Sequence, residues 1–247
     1  MFNIFSRKEK SPATLCFRTD IHCHVIPGVD DGSRNVETSV ELIEAMQGFG
    51  IERIIASPHV TQESFENNSS TIDPALDLLH NELRRRGNNI EISHSAEYRI
   101  DDLFLQRLEN NELMLLPNNH ILIENSFFQE PWNLENLVFS LQVKGLVPIL
   151  AHPERYSYYY NNKDRYHALH EAGLRFQINL LSLAEAYGKN ERTIALYLIK
   201  NGLVDFVGTD IHNPRHISAI NDYLTTKNAY SDMDALRGVI RNDIAFN

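Results

Sequence analysis

The chain has 247 residues, 43% of them hydrophobic, enough to bury the core of one large domain. Its formal net charge of -10 argues against non-specific nucleic-acid binding, because holding a phosphate backbone needs a basic surface. Any phosphate it handles must be held by local positive charge, from metal ions or a few arginines. Two cysteines, Cys16 and Cys23, are too few for a disulfide framework and fit a reducing compartment. The N-terminus reads MFNIFSRKEKS, without the apolar centre of a secretory signal, and no apolar run approaches the ~20 residues of a membrane span. The expectation is a cytoplasmic protein that inserts into no membrane.

Residues 1–18 read as an extension, either disordered or packed across the bottom of the domain, and residues 19–247 as one domain. Seven short apolar runs follow, at Arg18–Ile21, Ile51–Ala56, Ile90–Ser95, Ile121–Glu124, Val147–Ala151, Leu174–Ile178 and Leu203–Gly208. They are mostly continuous rather than alternating, as expected of strands buried on both faces of a parallel sheet. Helix-period segments lie between them. Asn35 is placed to cap a helix with Val40, Ile43 and Met46 on one face. Asp73-Pro74 reads as an N-cap followed by Pro at the first helical position. Further helices are predicted over Asp101–Glu109, Leu134–Lys144, Lys163–Ala172, Glu191–Asn201 and Asp232–Arg241. Seven strands alternating with helices predict an α/β barrel of βα units.

Residues able to bind metal collect at the ends of these runs. Asp20-Ile21-His22-Cys23-His24 ends the first, and alternate residues share a face, so His22 and His24 point the same way. Pro58-His59 ends the second run, Glu97 the third, Glu124 the fourth, His152 the fifth. Thr209-Asp210-Ile211-His212 ends the seventh and repeats the alternation. Asp30-Asp31-Gly32 occupies the loop after the first strand. Taken singly, His59 is an ordinary strand-end histidine, DDG is a turn, and Glu97 or Glu124 is unremarkable. Taken together, six of seven strands ending in a ligand-type residue point to a metal site at the C-terminal rim of a barrel. Imidazole and carboxylate suit Zn, Mn or Fe, and the count exceeds one tetrahedral zinc site. It implies at least two ions with a carboxylate to bridge them. Arg155 and Arg215 each follow a candidate ligand by three residues and are candidate forks for phosphate oxygens. His216 is placed to reach the site. His80, His167 and His170 fall on helices, and His94 reads as core. Tyr156-Ser157-Tyr158-Tyr159-Tyr160 reads as a surface loop able to wall a pocket for an aromatic substrate.

The segments DIHCHVIPGVDDGSRNVETSVELIEAM, IIASPHV, SAEYRIDDLF, ILIENSF, PILAHPERY, FQINLLSL and FVGTDIHN resemble, in order, the polymerase-and-histidinol-phosphatase (PHP) superfamily. The likeness is to the bacterial protein-tyrosine phosphatases of capsule and exopolysaccharide export. It implies a distorted TIM-like (β/α)7 barrel, the PHP fold, with two to three divalent ions, manganese first and iron, zinc or cobalt as alternatives. Carried over, His22, His24 and Asp210 would hold one ion, and Glu97 would bridge to a second completed by Glu124 and His152. Asp31, His59 and His212 would hold a third. Arg155 matches the arginine after the family's HPE segment. The resemblance also implies a partner, the phosphotyrosine tail of a bacterial tyrosine autokinase.

Cysteine-nucleophile chemistry is excluded on spacing, because neither Cys16 nor Cys23 lies six residues before an arginine. Metal chemistry remains, with hydroxide made available at neutral pH because a bound water's pKa falls to roughly 7. Tyrosine, with a pKa of about 10, leaves with little acid help, though His216 could donate a proton. Rival readings are a PHP phosphoesterase acting on a small molecule such as histidinol phosphate, an amidohydrolase, and a non-catalytic metal-binding module.

Overall fold

The structure is a computed structural model that describes residues 11–246. Seven principal strands form its wall: β1 (Thr19–Asp20), β2 (Arg53–Ala56), β5 (Glu91–His94), β7 (His120–Glu124), β8 (Val147–Ala151), β9 (Arg175–Asn179) and β10 (Phe206–Gly208). They match the seven apolar runs. Three shorter strands, β3 (His59–Thr61), β4 (Phe65–Glu66) and β6 (Glu97–Arg99), complete the sheets. The pairing orders are β1-β2-β5 and β10-β9-β8-β7-β6-β3-β4, parallel throughout except for the β3–β4 hairpin.

Two breaks distort the barrel. At Ser57-Pro58 the second strand stops and resumes as β3, and at Ser95-Ala96 the third stops and resumes as β6. Pro58 lacks the N–H a continuous ladder needs. The expected second and third strand ends, His59 and Glu97, therefore open new strands that pair with each other. On the other side the wall closes without a regular ladder. Asp210 N donates to His22 O (2.7 Å), His24 N donates to Ile211 O (2.9 Å), and Cys23 bridges Ile211.

Alternation divides the strand side chains into two layers. Ile21, Ile55, Leu122, Ile149, Ala151 and Phe206 form one small cluster with Leu116 and Phe246, filling the barrel interior. Ile54, Ile121, Ile123, Leu150, Phe176, Ile178 and Val207 belong to the larger cluster shared with the helices. This is why the runs read as continuously apolar.

The helices are α1 (Val36–Gly48), α2 (Ser69–Arg85), α3 (Asp102–Asn110), α4 (Leu134–Val143), α5 (Asp164–Glu171), α6 (Leu180–Leu183), α7 (Lys189–Lys200), α8 (Pro214–Leu224), α9 (Lys227–Leu236) and α10 (Asn242–Ala245). Asn35 caps α1 as expected, accepting from Thr38 N. Three expectations need correction. α2 starts at Ser69, where Asn68 and Thr71 form a capping box, and Pro74 lies inside it. The final expected helix, Asp232–Arg241, is displaced: α9, capped by Thr226, ends at Leu236, and α10 begins only at Asn242 after a turn. α8 was not anticipated, although Asn213-Pro214 carries its signal, an Asn N-cap with Pro at N1.

Of the expected extension, residues 1–10 lie outside the described residues. Ala13 and Phe17 are buried, and Ala13 N donates to Leu224 O. The C-terminal segment clasps the barrel seam. Asn242 Nδ2 donates to Thr19 O (3.0 Å) and Val207 O (2.7 Å), while its Oδ1 accepts from Val207 N (3.0 Å). Asp243 Oδ1 accepts from Arg18 N and Thr19 N. Asn242→Ala would leave buried backbone groups of β1 and β10 unpaired. The expected loss is about 2–4 kcal/mol of stability, measured as a lowered denaturant midpoint. An unshifted midpoint would show that the seam does not depend on this clasp.

Candidate metal centre

The C-terminal strand ends bring the nine candidate ligands together. Glu97 is the hub. Its Oε2 lies 3.2 Å from His22 Nε2, 3.5 Å from His24 Nε2 and 3.0 Å from His59 Nδ1, and its Oε1 lies 3.0 Å from His152 Nε2. Asp210 Oδ1 lies 3.5 Å from both His22 Nε2 and His24 Nε2, and 3.4 Å from His212 Nδ1. Asp31 Oδ1 stands 3.6 Å from the Nε2 atoms of His59 and His212. Glu124 Oε1 is 3.6 Å from His152 Nε2. Four clusters have the size of an ion's ligand shell: His22–His24–Asp210, His22–Glu97–His152, His59–Glu97–Glu124, and His24–Asp31–His59–His212.

The backbone is bent to make this possible. His152 and Asp210, at the ends of β8 and β10, have φ of 35° and 53°, a left-handed conformation uncommon outside glycine. Such strain collects where side chains must be aimed. Gly208 lets β10 approach closely, since a Cβ there would meet His22 Cβ at 2.5 Å. Gly32 does the same for the DDG loop, where a Cβ would meet His24 O at 2.2 Å.

A second layer of hydrogen bonds leaves one nitrogen of each key imidazole free. His22 Nδ1 meets Gln177 Oε1 at 2.7 Å, and His24 Nδ1 meets Asp30 Oδ2 at 2.7 Å. In both, a proton on Nδ1 leaves Nε2 bare toward the cluster, the usual arrangement behind a metal-binding histidine. His22 Nε2, His24 Nε2 and Glu97 Oε2 are fully buried with no hydrogen-bond partner. Buried polar atoms are rarely left so, and these converge, so the donor set fits divalent cations. Asp210 shows the same division of labour. Its Oδ2 accepts from Asn179 Nδ2 (2.6 Å), Tyr187 Oη (2.9 Å) and Arg155 Nη1 (3.0 Å), leaving Oδ1 to the histidines.

Charge is concentrated here. Burial and then the neighbouring Glu97 push Glu124 up to about 7. Burial opposes a charged His22, yet Glu97 and Asp210 outweigh it and hold the pKa up at about 9. His152 is pushed down to about 4, by burial first and then by Arg155. A divalent cation among these groups would offset the repulsion between carboxylates and hold the imidazoles neutral.

A cavity of about 500 Å³ opens above the cluster. Arg155 and His216 line it, as expected. Arg155 lies between Tyr187 and Phe127, its guanidinium carbon 4.0 and 4.9 Å from their ring centroids. His216 meets the backbone through Nδ1, at His212 N (3.2 Å) or Asp210 O (3.1 Å). Arg215 is exposed on the first turn of α8 and does not line the cavity, because the helix that starts at Pro214 carries it past the rim. The Tyr156–Tyr160 segment does not line it either. Tyr156 and Tyr159 are buried behind Phe127, where Tyr156 Oη donates to Ala151 O (3.0 Å). His94 is not core but pairs with Asp73 (2.8 Å). Sequence reading missed Arg99, which lines the cavity and pairs with Glu124 Oε2 at 2.9 Å. It assigned no supporting role to Asp30, Gln177, Asn179 or Tyr187. Gln177 and Asn179 alternate with Phe176 and Ile178 along β9, a signal present in the sequence.

Comparison with known proteins agrees with this geometry. Residues 18–235 match the family model for capsular polysaccharide synthesis, CpsB/CapC. The chain is 35% identical over 195 residues to the tyrosine-protein phosphatase YwqE of Bacillus subtilis, covering 78% of this chain and 77% of that one. It is 28% identical over 202 residues to the tyrosine-protein phosphatase CpsB of Streptococcus pneumoniae, covering 78% and 82%. It superposes with a TM-score of 0.76 and 31% identity on a solved structure from work on YwqE and CpsB, described as unique metal-dependent tyrosine phosphatases, over 92% of this chain and 96% of that one. An amidohydrolase from Mycoplasma synoviae shares the fold alone, at 15% identity and a TM-score of 0.51. The chain belongs to the CpsB/CapC family.

Proposed function

We propose that this chain is a metal-dependent protein-tyrosine phosphatase that hydrolyses phosphotyrosine monoesters. One observation carries the chemistry: unpartnered, fully buried His22 Nε2, His24 Nε2 and Glu97 Oε2 converge beneath a cavity lined by Arg99 and Arg155. Family membership carries the substrate class, so small-molecule phosphoesterase and non-catalytic readings are not favoured.

In this proposal His22, His24 and Asp210 would hold one ion, Glu97, Glu124 and His152 a second, and Asp31, His59 and His212 a third, with Glu97 placed to be shared between the first two. His24 also lies in the last group, so it can serve either of two ions. The donor set supports manganese, with iron, zinc or cobalt as alternatives. When bound, the ions supply a water of lowered pKa and neutralise phosphoryl oxygens. The remaining work falls to this chain's own groups. Arg155 is held by Asp210 and clamped between two rings, so its free N–H groups meet the phosphoryl oxygens already oriented. Arg99 presents a second guanidinium from β6. His216 Nδ1 lies within reach of both His212 N (3.2 Å) and Asp210 O (3.1 Å); as an imidazolium it would donate from Nδ1 to the Asp210 carbonyl and carry a second proton on Nε2, the form able to protonate the departing phenolate. Tyr187 positions Arg155 and Asp210 together.

The proposed substrate is the phosphotyrosine tail of a bacterial tyrosine kinase of capsule or exopolysaccharide synthesis, supported by the family's role. The two free cysteines support a cytoplasmic setting, and among the described residues no helix is long and apolar enough to cross a membrane.

Purified protein is expected to carry two to three transition-metal equivalents and to lose phosphotyrosine-peptide hydrolysis to a chelator, with recovery tested across Mn, Fe, Zn, Co and Mg. One equivalent or fewer in a fully active enzyme would sink the multinuclear reading. Arg155→Ala should lower turnover by about 10²-fold, the scale of losing one transition-state donor, while elemental analysis shows the metal retained. Arg215→Ala should leave turnover near wild type. The reverse ranking of the two arginines would move the phosphate fork to α8.

A further inference from the structure

Beside the polar floor of the candidate metal centre stand two phenylalanines that neither metal binding nor phosphate binding requires. Phe65, on β4, stacks on His59 with centroids 5.9 Å apart and planes 17° apart. Phe127, just beyond β7, stacks on His152 at 5.7 Å and 15°. The two imidazoles they cover meet the same carboxylate from its two oxygens, His59 at Glu97 Oε2 and His152 at Oε1, each at 3.0 Å. Both rings line the one cavity. They are therefore paired apolar walls rising from either side of the hub of the centre.

These rings are not core. Phe127 is 37% exposed, with only its inner side against Tyr156, the ring centroids 5.6 Å apart. It is held in place instead. Tyr158 Oη donates to Ser126 O at 3.0 Å, Tyr156 Oη meets Asn125 N at 3.0 Å, and Arg165 grips Glu130 further along the same loop. The guanidinium carbons of Arg155 and Arg99 lie 4.9 and 5.7 Å from its centroid. Phe65 is set by the tight turn between β3 and β4, where Glu63 takes a left-handed φ of 64°.

Depth gives the pair a purpose. The floor residues Glu97, Asp210, Glu124 and His152 are 0–2% exposed, whereas Phe127 at the rim is 37% exposed. A phosphoryl group on the floor leaves its organic portion level with the two rings. A phosphate dianion gains nothing from apolar walls, but a flat aryl group gains stacking and loses wetted surface. A short alkyl ester cannot fill the slot, and its backbone would have to descend to the rim.

We infer that Phe65 and Phe127 form an aryl clamp that makes this centre selective for aryl over alkyl phosphate esters. The clamp rests on the phosphatase reading of the same site and adds the residues that set its specificity. The test separates binding from turnover by using non-hydrolysable probes on the metal-loaded enzyme. Calorimetry should give a lower Kd for phenylphosphonate than for methylphosphonate. In Phe127→Ala and Phe65→Ala that ratio should shrink by about 3- to 10-fold each, the scale of one aromatic contact. Phe127→Leu and Phe65→Leu keep the apolar volume without the flat ring and should shrink it in the same direction, with metal content checked for every variant. The inference fails if wild type shows no phenyl preference, or if all four variants keep the wild-type ratio at wild-type metal content. Phosphotyrosine-peptide hydrolysis is assayed alongside. A phenyl preference without hydrolysis would overturn the phosphatase reading and leave the clamp standing, whereas hydrolysis without a phenyl preference would overturn the clamp alone.

Discussion

Glu97 is a fully buried carboxylate within 3.5 Å of imidazole nitrogens from His22, His24, His59 and His152. Burying an ionised group without compensation is prohibitive, so this one residue dictates how the barrel mouth is built. Burial opposes its charge, and the surrounding histidines outweigh that, holding its pKa well below the usual carboxylate range. The histidines in turn need carboxylates or carbonyl oxygens behind them. Asp30 behind His24 and Gln177 behind His22 are thus consequences of Glu97 as much as of the metal.

The distortions of the barrel follow from the same demand. A regular strand ending would aim His59 and Glu97 along separate ladders. Breaking the second and third strands lets β3 and β6 pair afresh with His59 opposite Glu97. Asp210 and His152 are turned inward by left-handed backbone, and the open seam between β1 and β10 leaves room for both halves of the first and last motifs. The seam is then secured from outside by Asn242 and Asp243 rather than by its own ladder. Structure near the candidate ligands is irregular, and side chains of the C-terminal segment hold it.

Much of this was legible in the sequence because strand-end chemistry is local. Each of the seven runs became a wall strand, and all nine candidate ligands converge, since a residue at the end of a parallel strand has few places to point. What was not legible depends on long-range geometry. Arg215 sits three residues after His212, as Arg155 does after His152, but α8 begins at Pro214 while only a 3-10 turn, Pro153–Arg155, follows His152. The same spacing gives opposite outcomes. The tyrosine run reads as a surface loop able to wall a pocket because four tyrosines fall within five residues. The structure uses it as packing behind Phe127, the first of two adjacent phenylalanines after Glu124-Asn125-Ser126 that no periodicity tells apart. Arg99 is not legible because its role rests on pairing with Glu124, which lies on another strand.

The arrangement of arginines explains how an acidic chain accepts a dianion. Arg155 and Arg99 each sit against the outer oxygen of a candidate ligand, Asp210 Oδ2 and Glu124 Oε2, at 3.0 and 2.9 Å. The inner oxygens, Asp210 Oδ1 and Glu124 Oε1, face the histidines. A carboxylate that shares itself between a metal ion and an arginine holds that guanidinium less firmly than one devoted to it. Cation binding on the inner side would therefore make the outer guanidinium more available to substrate oxygens. Their burial, with side chains 24–26% exposed, keeps these interactions from being screened as surface pairs are. The net charge of -10 is spread over the whole molecule, whereas the field at the cavity floor is set by groups a few ångströms away. Overall charge governs what the protein avoids, and local charge governs what this site holds.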